Sequence, residues 1–205
     1  MNLSLSSTSS ALQKRGYETL VCASGAEAAE AVAREMADAR IVGFGGSMTI
    51  SSLGLQERAK ALGKEVLIHG DPSLSPERKM EVMRGELTCD LFLLSANAMT
   101  ADGVIVNIDG NGNRVAAITW GPENVIHIIG MNKVAPTIEA ALARARNVAA
   151  PINTARLGCD TPCRLDGVCH NCNSPQCICN YVHFTRNSFP AHRHTVILIG
   201  ETWGY

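Results

Sequence analysis

Between Cys159 and His183 the chain reads CDTPCRLDGVCHNCNSPQCICNYVH, which holds six of its eight cysteines and two of its six histidines. The thiols are spaced C-x3-C-x5-C-x2-C-x4-C-x-C, at Cys159, Cys163, Cys169, Cys172, Cys177 and Cys179. Cys169 and Cys172 form a C-x-x-C pair, whose spacing lets two thiolates grip one metal centre; two more thiolates complete a four-sulfur set. Three chemistries use such a stretch. A [4Fe–4S] cluster needs four thiolates and tolerates irregular spacing. A structural Zn2+ site is the second, and two C-x-x-C pairs would have marked it better. A disulfide or unmetalled thiol loop is the third. His170 and His183 could replace a cysteine, but a histidine beside a cysteine is more often a bystander. Cys22 and Cys89 adjoin apolar runs and read as buried small hydrophobes.

A second group could bind an anion. Phe44-Gly45-Gly46-Ser47-Met48-Thr49 leaves an apolar run and enters a helical one. Gly45 and Gly46 let backbone turn sharply and approach a ligand; Ser47 and Thr49 offer hydroxyls. The pattern is neither G-x-G-x-x-G nor a Walker motif. The plainer reading is a tight turn with Ser47 or Thr49 capping the helix. Asn97, Thr100, Asp102, Asn107, Asp109, Asn113 and Arg114 gather after the apolar run LFLLS. Arg114 could pair with a phosphate or carboxylate, and Asn97 could join it, or both could be structural. Asp102-Gly103 and Asp109-Gly110 read as plain turns. Lys133 is a further candidate anion ligand, with a solvated lysine as the alternative. His69 and His127 lie in strand-like runs and read as packed residues. No general base or nucleophile stands out, so the catalytic residues are unknown at this level.

These groups need a scaffold, and the pattern supplies one. Strand-like runs at 17–22, 40–44, 65–69, 91–95, 104–108, 124–129 and 195–199 alternate with helical runs at 6–15, 24–39, 51–62, 114–119 and 136–149. Ser24 and Glu27 make a capping box. Ser75-Pro76-Glu77 opens another helix with a cap, a pre-set φ and an acid. This rhythm predicts a single α/β domain over 1–205: three layers, a mostly parallel sheet with helices on both faces. In such sheets ligands bind beyond the carboxyl ends of the strands, the edge to which the glycine turn, Asn97 and Lys133 belong. Residues 159–183 then form a cysteine-rich insertion before the last strand. Long loops without regular structure are usually functional or held by something.

Composition excludes several classes. The formal net charge is −1, so no basic excess draws the chain to nucleic acid. The start, MNLSLSSTSSALQKRG, lacks the basic opening and long apolar run of a signal peptide. No run reaches the ~20 apolar residues of a membrane span. The expected location is cytoplasmic, where thiols stay reduced and a cysteine cluster more often holds metal than disulfides. A chain of 205 residues does not need disulfides to fold.

Three blocks together resemble a known family. RIVGFGGSMTISSLGL, then NAMTADGVIVNIDGNGNRVAAITWGPENVIHIIGMNKV, then the TPC…C..C…C segment look like the LUD-domain, or lactate-utilisation, proteins. The long middle block is the specific part. The resemblance implies a fold like that of ribose-5-phosphate isomerase, glucosamine-6-phosphate deaminase and the CoA transferases, and it favours a ligand role for Gly45, Gly46, Ser47 and Thr49. It also implies which four cysteines matter: Cys163 and Cys179 join Cys169 and Cys172, one from each flank, while Cys159 and Cys177 fall at positions that look variable. The family is linked to oxidation of lactate to pyruvate through multi-protein iron–sulfur complexes. Neither the CoA-transferase glutamate motif nor the isomerase acid–base set is matched, so those activities do not follow from fold.

Two function classes follow. One is a component of an electron-transferring system for oxidation of lactate or a related small acid, with a [4Fe–4S] cluster in the loop and redox partner proteins. The other is an enzyme or binding protein for a small anionic metabolite (a sugar phosphate, carboxylate or CoA ester) with structural zinc. An assembly subunit with no chemistry of its own is the further alternative, and the aromatics of GETWGY could pack on a neighbouring copy or equally cover the chain's own sheet.

Overall fold

The structure is a computed structural model that describes residues 4–205. Among the described residues, ten strands and nine α-helices run in the order α1 (Leu5–Gln13), β1 (Glu18–Cys22), α2 (Gly25–Glu35), β2 (Ile41–Phe44), α3 (Met48–Ser52), α4 (Leu55–Ala61), β3 (Glu65–Leu67) and α5 (Pro76–Gly85). There follow β4 (Leu91–Leu94), β5 (Ala98–Thr100), β6 (Ile105–Asp109), α6 (Asn113–Thr119), β7 (Asn124–Gly130), β8 (Val134–Ala135), α7 (Ile138–Arg144), α8 (Ala150–Leu157), α9 (Pro162–Asp166), β9 (Tyr181–Thr185) and β10 (His194–Ile199). The main sheet is parallel throughout, in the order β1-β10-β7-β4-β2-β3. Leu91 to Leu94 are buried on both faces, as an all-apolar central strand requires.

Side-chain alternation divides the core. Leu91 and Leu93 pack with α2 and α4 on one face, through Ala28, Val32, Leu55 and Ala59. Phe92 and Leu94 pack on the other, with Val115 and Ile118 of α6. Here also lies a second sheet, β8-β5-β6-β9. One of its faces sends Met99 and Ile105 to meet Ile129, Val196 and Leu198 of the main sheet. Its other face is covered by Ala141 and Ala145.

This layering places the site. After β2 the chain crosses by α3 and α4 on the first face. After β3 it crosses by α5 on the second, where Gly85 meets Leu67. The chain then returns to β4, on the far side of β2. The gap beyond the ends of β2 and β4 is therefore a switch point, where an open parallel sheet forms a crevice.

Several expected elements change. The helix expected over 51–62 is two, broken at Gly54, whose φ of 64° a side-chain-bearing residue rarely adopts. The run 104–108 forms β6, which pairs antiparallel with β5 and β9 and not with the main sheet. The helix expected to end at 149 continues to Leu157 through a π-type turn at Ala145–Ala149. Pro151 lacks an N–H, and the widened turn just before it absorbs the lost bond. The cysteine segment is not wholly a loop: it contains α9, and its last residues enter β9. The Ser24 cap holds, but Glu27 reaches back to the amide of Ala23 and not to that of Ser24. Among the described residues no helix is long and apolar enough to cross a membrane.

Candidate functional site

At the switch point lies a cleft of about 870 Å³, lined by Gly46, Ser47, His69, Asn97, Arg114 and Lys133 among others. Lys133 follows β7 and is 2% exposed. Its ammonium donates to Thr49 Oγ1 and Ser95 Oγ, both at 3.0 Å. No carboxylate pairs with it among the described residues. Burial, then the charges of Arg144 and Arg114, push its pKa from 10.5 down to about 7. A buried cation without a counter-ion is costly, and an anion in the cleft would relieve that cost.

The other expected ligands divide. Ser47 caps α3, accepting from Ile50 N at 3.4 Å, as the plainer reading of the turn has it. With five residues, α3 contributes few aligned dipoles, so an anion here depends on side-chain cations. Gly45 is needed for packing: a Cβ there would stand 3.1 Å from Leu94 and from Arg114. Gly46 has open space, with only His69 Nε2 nearby at 3.6 Å from a built Cβ. Thr49 donates to Trp203 O at 3.2 Å, which ties GETWGY over the sheet end. Tyr205 donates to Asn153 Oδ1 at 2.8 Å and lines this chain's own cleft, while Trp203 packs against the core on the α2 side.

Arg114 is heavily engaged. Nε donates to Asp109 Oδ2 at 3.2 Å, and Nη2 to Asn97 Oδ1 at 3.1 Å and to Ile108 O at 2.6 Å. Asn97 Oδ1 also accepts from Ile108 N at 2.8 Å. Together the pair braces the second sheet against the cleft wall. Asp109 is thus no plain turn residue: it closes β6, pairs with Arg114 and accepts from Gly112 N at 2.7 Å. Asp102 does sit at a turn, with Gly103 at φ 91°, but it also pairs with Arg15 at 2.6 Å.

His69 differs from its sequence reading. It lies past the end of β3, and its Nδ1 is 2.6 Å from Oε1 of Glu86. Glu86 is fully buried and its Oε2 accepts from Asn113 Nδ2 at 3.3 Å. Seventeen positions separate the two residues, and only the α5 crossover joins them, so no local spacing could have revealed the pair. His127 is packed as expected: its Nε2 lies 3.1 Å from His194 Nδ1 between the sheets.

The cysteines ring a smaller cavity of about 190 Å³, lined by Cys163, Cys169, Cys172, Cys177 and Cys179. Cys159 lines the main cleft instead. Cys163 Sγ is 3.4 Å from the hydroxyls of both Thr154 and Thr161. Burial pushes the Cys179 thiol up to about 12, and the nearby Cys177, Cys169 and Cys163 add to the rise. The Ser174 hydroxyl and amide lower Cys172. His170 Nε2 is held 2.7 Å from Asp166 Oδ2, and His183 Nε2 lies 2.9 Å from Thr119 Oγ1. Among the described residues no three such side chains converge closely enough for a single ion. The donor set still fits a thiolate-held centre: several sulfurs face one space, hydroxyls reach one of them, and the mutual repulsion of thiolates is what a cation offsets. Cys22 and Cys89 are buried away from it, and burial pushes Cys89 up to about 11. The two hollows adjoin: Ile108, Cys177 and Ile178 line both.

Comparison with known proteins agrees with this architecture. The LUD domain family matches residues 5–199. No curated protein matches the chain. Among solved structures, a DUF162 family protein from Deinococcus radiodurans superposes with a TM-score of 0.57 at 18% identity, covering 96% of each chain. At that identity the likeness speaks for the fold. The match over nearly the whole length shows that this chain belongs to the LUD-domain family.

Proposed function

We propose that this protein is a component of an electron-transferring system for oxidation of lactate or a related small acid, binding the acid in the cleft beside a [4Fe–4S] cluster held by Cys163, Cys169, Cys172 and Cys179. The observation that carries the reading is the shared wall of Ile108, Cys177 and Ile178, which sets an anion cleft against a thiolate cavity. Lys133 meets the acid's carboxylate, and the Arg114–Asn97 brace keeps the wall rigid. The GETWGY tail covers one end of the cleft through Tyr205 and helps to exclude water. When bound, a cluster supplies one-electron storage, and redox partner proteins would take the electrons onward. Both the cluster and its free thiols suit a reducing, cytoplasmic setting.

Anaerobic purification followed by visible spectroscopy and metal analysis tests this. Broad visible absorption with iron and acid-labile sulfide supports the cluster. A colourless protein carrying zinc would overturn it and leave a small-anion enzyme or binding protein with a structural zinc loop. Absence of any metal would remove both metal readings.

A further inference from the structure

The cleft wall holds a partly buried histidine–glutamate pair, His69 and Glu86, that the reading above does not use. Glu86 caps the C-terminal end of α5, where the helix dipole disfavours a negative charge. It is fully buried and has no lysine or arginine partner among the described residues. Gly43 makes the room, since a Cβ there would lie 3.4 Å from Glu86 Cγ and 2.8 Å from Cys89 Sγ. Such a carboxylate is expensive unless it is fully hydrogen-bonded. Its partners are His69 Nδ1 and the Asn113 amide, and His69 is itself only 15% exposed. A carboxylate at Nδ1 fixes the ring so that Nδ1 carries the proton and Nε2 stays bare. Nε2 has no hydrogen-bond partner among the described residues and lies at Gly46, where the open glycine lets a ligand approach.

We propose that His69 is the acid–base residue of the cleft, exchanging a proton at Nε2 with an oxyanion ligand seated at Gly46, and that Glu86 is its positioning residue. The step balances without a further reactant: the ligand's O–H bond breaks, its electron pair stays on oxygen, and the proton forms a bond to Nε2; the reverse step returns it. The cleft's carboxylates do not compete. Glu57 pairs with Lys60, Asp71 with Ser73, and Asp109 with Arg114. Lys79, Lys133 and Arg156 also line the cleft and favour an anion. The inference rests on the cleft being an anion site.

Inorganic phosphate, which carries both an oxyanion and an exchangeable proton, is the probe. With histidine isotopically labelled in the full chain, imidazole nitrogen resonances should show His69 protonated at Nδ1 and bare at Nε2 near neutral pH. Phosphate should move the Nε2 resonance toward its protonated position. Calorimetry should show phosphate affinity about tenfold lower in His69→Gln than in the parent, with no difference in proton uptake from the buffer assigned to His69, because the transferred proton comes from the ligand. Glu86→Gln should lose the fixed tautomer; if it fails to fold, the parent spectrum still decides. A ring already protonated at Nε2 in the phosphate-free protein, an Nε2 resonance that phosphate does not move, or His69→Gln with unchanged phosphate affinity, overturns this inference and leaves the anion cleft standing. No phosphate binding by the parent protein overturns both.

Discussion

Replacing Lys133 by methionine should change how stability depends on pH in a way no exposed lysine could. The folded protein lowers this ammonium from 10.5 to about 7, chiefly by burial. Below about pH 7 both folded and unfolded chains hold the proton, so stability has no slope from this group. Between about 7 and 10.5 the unfolded chain holds a proton that the folded chain lacks, so stability rises with pH. At about 1.4 kcal/mol per unit, the parent should gain about 3–4 kcal/mol between pH ~7 and pH ~10. Methionine keeps the length and loses the titration. It also loses the bonds to Thr49 and Ser95, at a cost of about 1–1.5 kcal/mol each. The variant should therefore be at least as stable as the parent near neutrality and about 2 kcal/mol weaker near pH ~10, so the two stability curves cross. Urea midpoints for both proteins across that range measure this, and other titrating groups cancel in the difference. Parallel curves would refute the claim that Lys133 is an uncompensated buried cation. Phosphate should bind the parent and not the variant.

Gly45→Ala should cost about 1–3 kcal/mol in thermal or urea unfolding, because Leu94 and Arg114 both stand 3.1 Å from the new methyl. Gly46→Ala meets only His69 Nε2 at 3.6 Å, so it should stay within about 0.5 kcal/mol of the parent while weakening phosphate binding. Burial, then Arg193 and His183, push His194 from 6.5 down to about 4, so its share of stability is whole above 6.5 and is lost as pH falls toward 4. That share is about 3 kcal/mol, and His194→Phe should flatten the acid limb of a urea midpoint series. Serine at Cys163, Cys169, Cys172 or Cys179 should at least halve metal content by elemental analysis, whereas Cys159→Ser, which faces the cleft, should leave it intact.

What was readable in advance depended on the range of the forces involved. The parallel strands showed as apolar runs because both of their faces are buried, and Ser47 and Ser75 showed as caps because a cap bonds three residues away. The second sheet was hidden. β5 and β8 have three and two residues, too few to carry an alternating pattern, and exist because β6 and α7 hold them. β9 reads YVHFT, rich in strand-formers, yet follows the cysteines so closely that they mask it. Lys133 could be placed at the sheet edge by topology, but its lack of a counter-ion is a property of three-dimensional packing. The His69–Glu86 pair is of the same kind, since strand-like surroundings suggested only a packed ring.

The cysteine segment is fixed at both flanks by elements that fold for other reasons. On one side, α8 delivers Thr154 to Cys163. On the other, β9 pairs with β6 in a register that sets Tyr181 opposite Asp109, and Asn180 Nδ2 bonds Gly110 O at 3.0 Å. Asp109 in turn is locked to Arg114 at the cleft. The strand pairing that completes the second sheet therefore also presses Cys177 and Ile178 against the cleft wall. A zinc finger, by contrast, has no fold without its metal, which supplies about 10–16 kcal/mol. A metal bound at the proposed site would have only residues 167–178 left to order, because α9 and β9 already anchor their ends. Stripping the metal with a chelator should thus leave far-ultraviolet dichroism and cooperative unfolding largely unchanged while the segment becomes susceptible to protease. Global unfolding on metal loss would mean that the thiolates hold β9 in place, reversing the order of cause proposed for this loop.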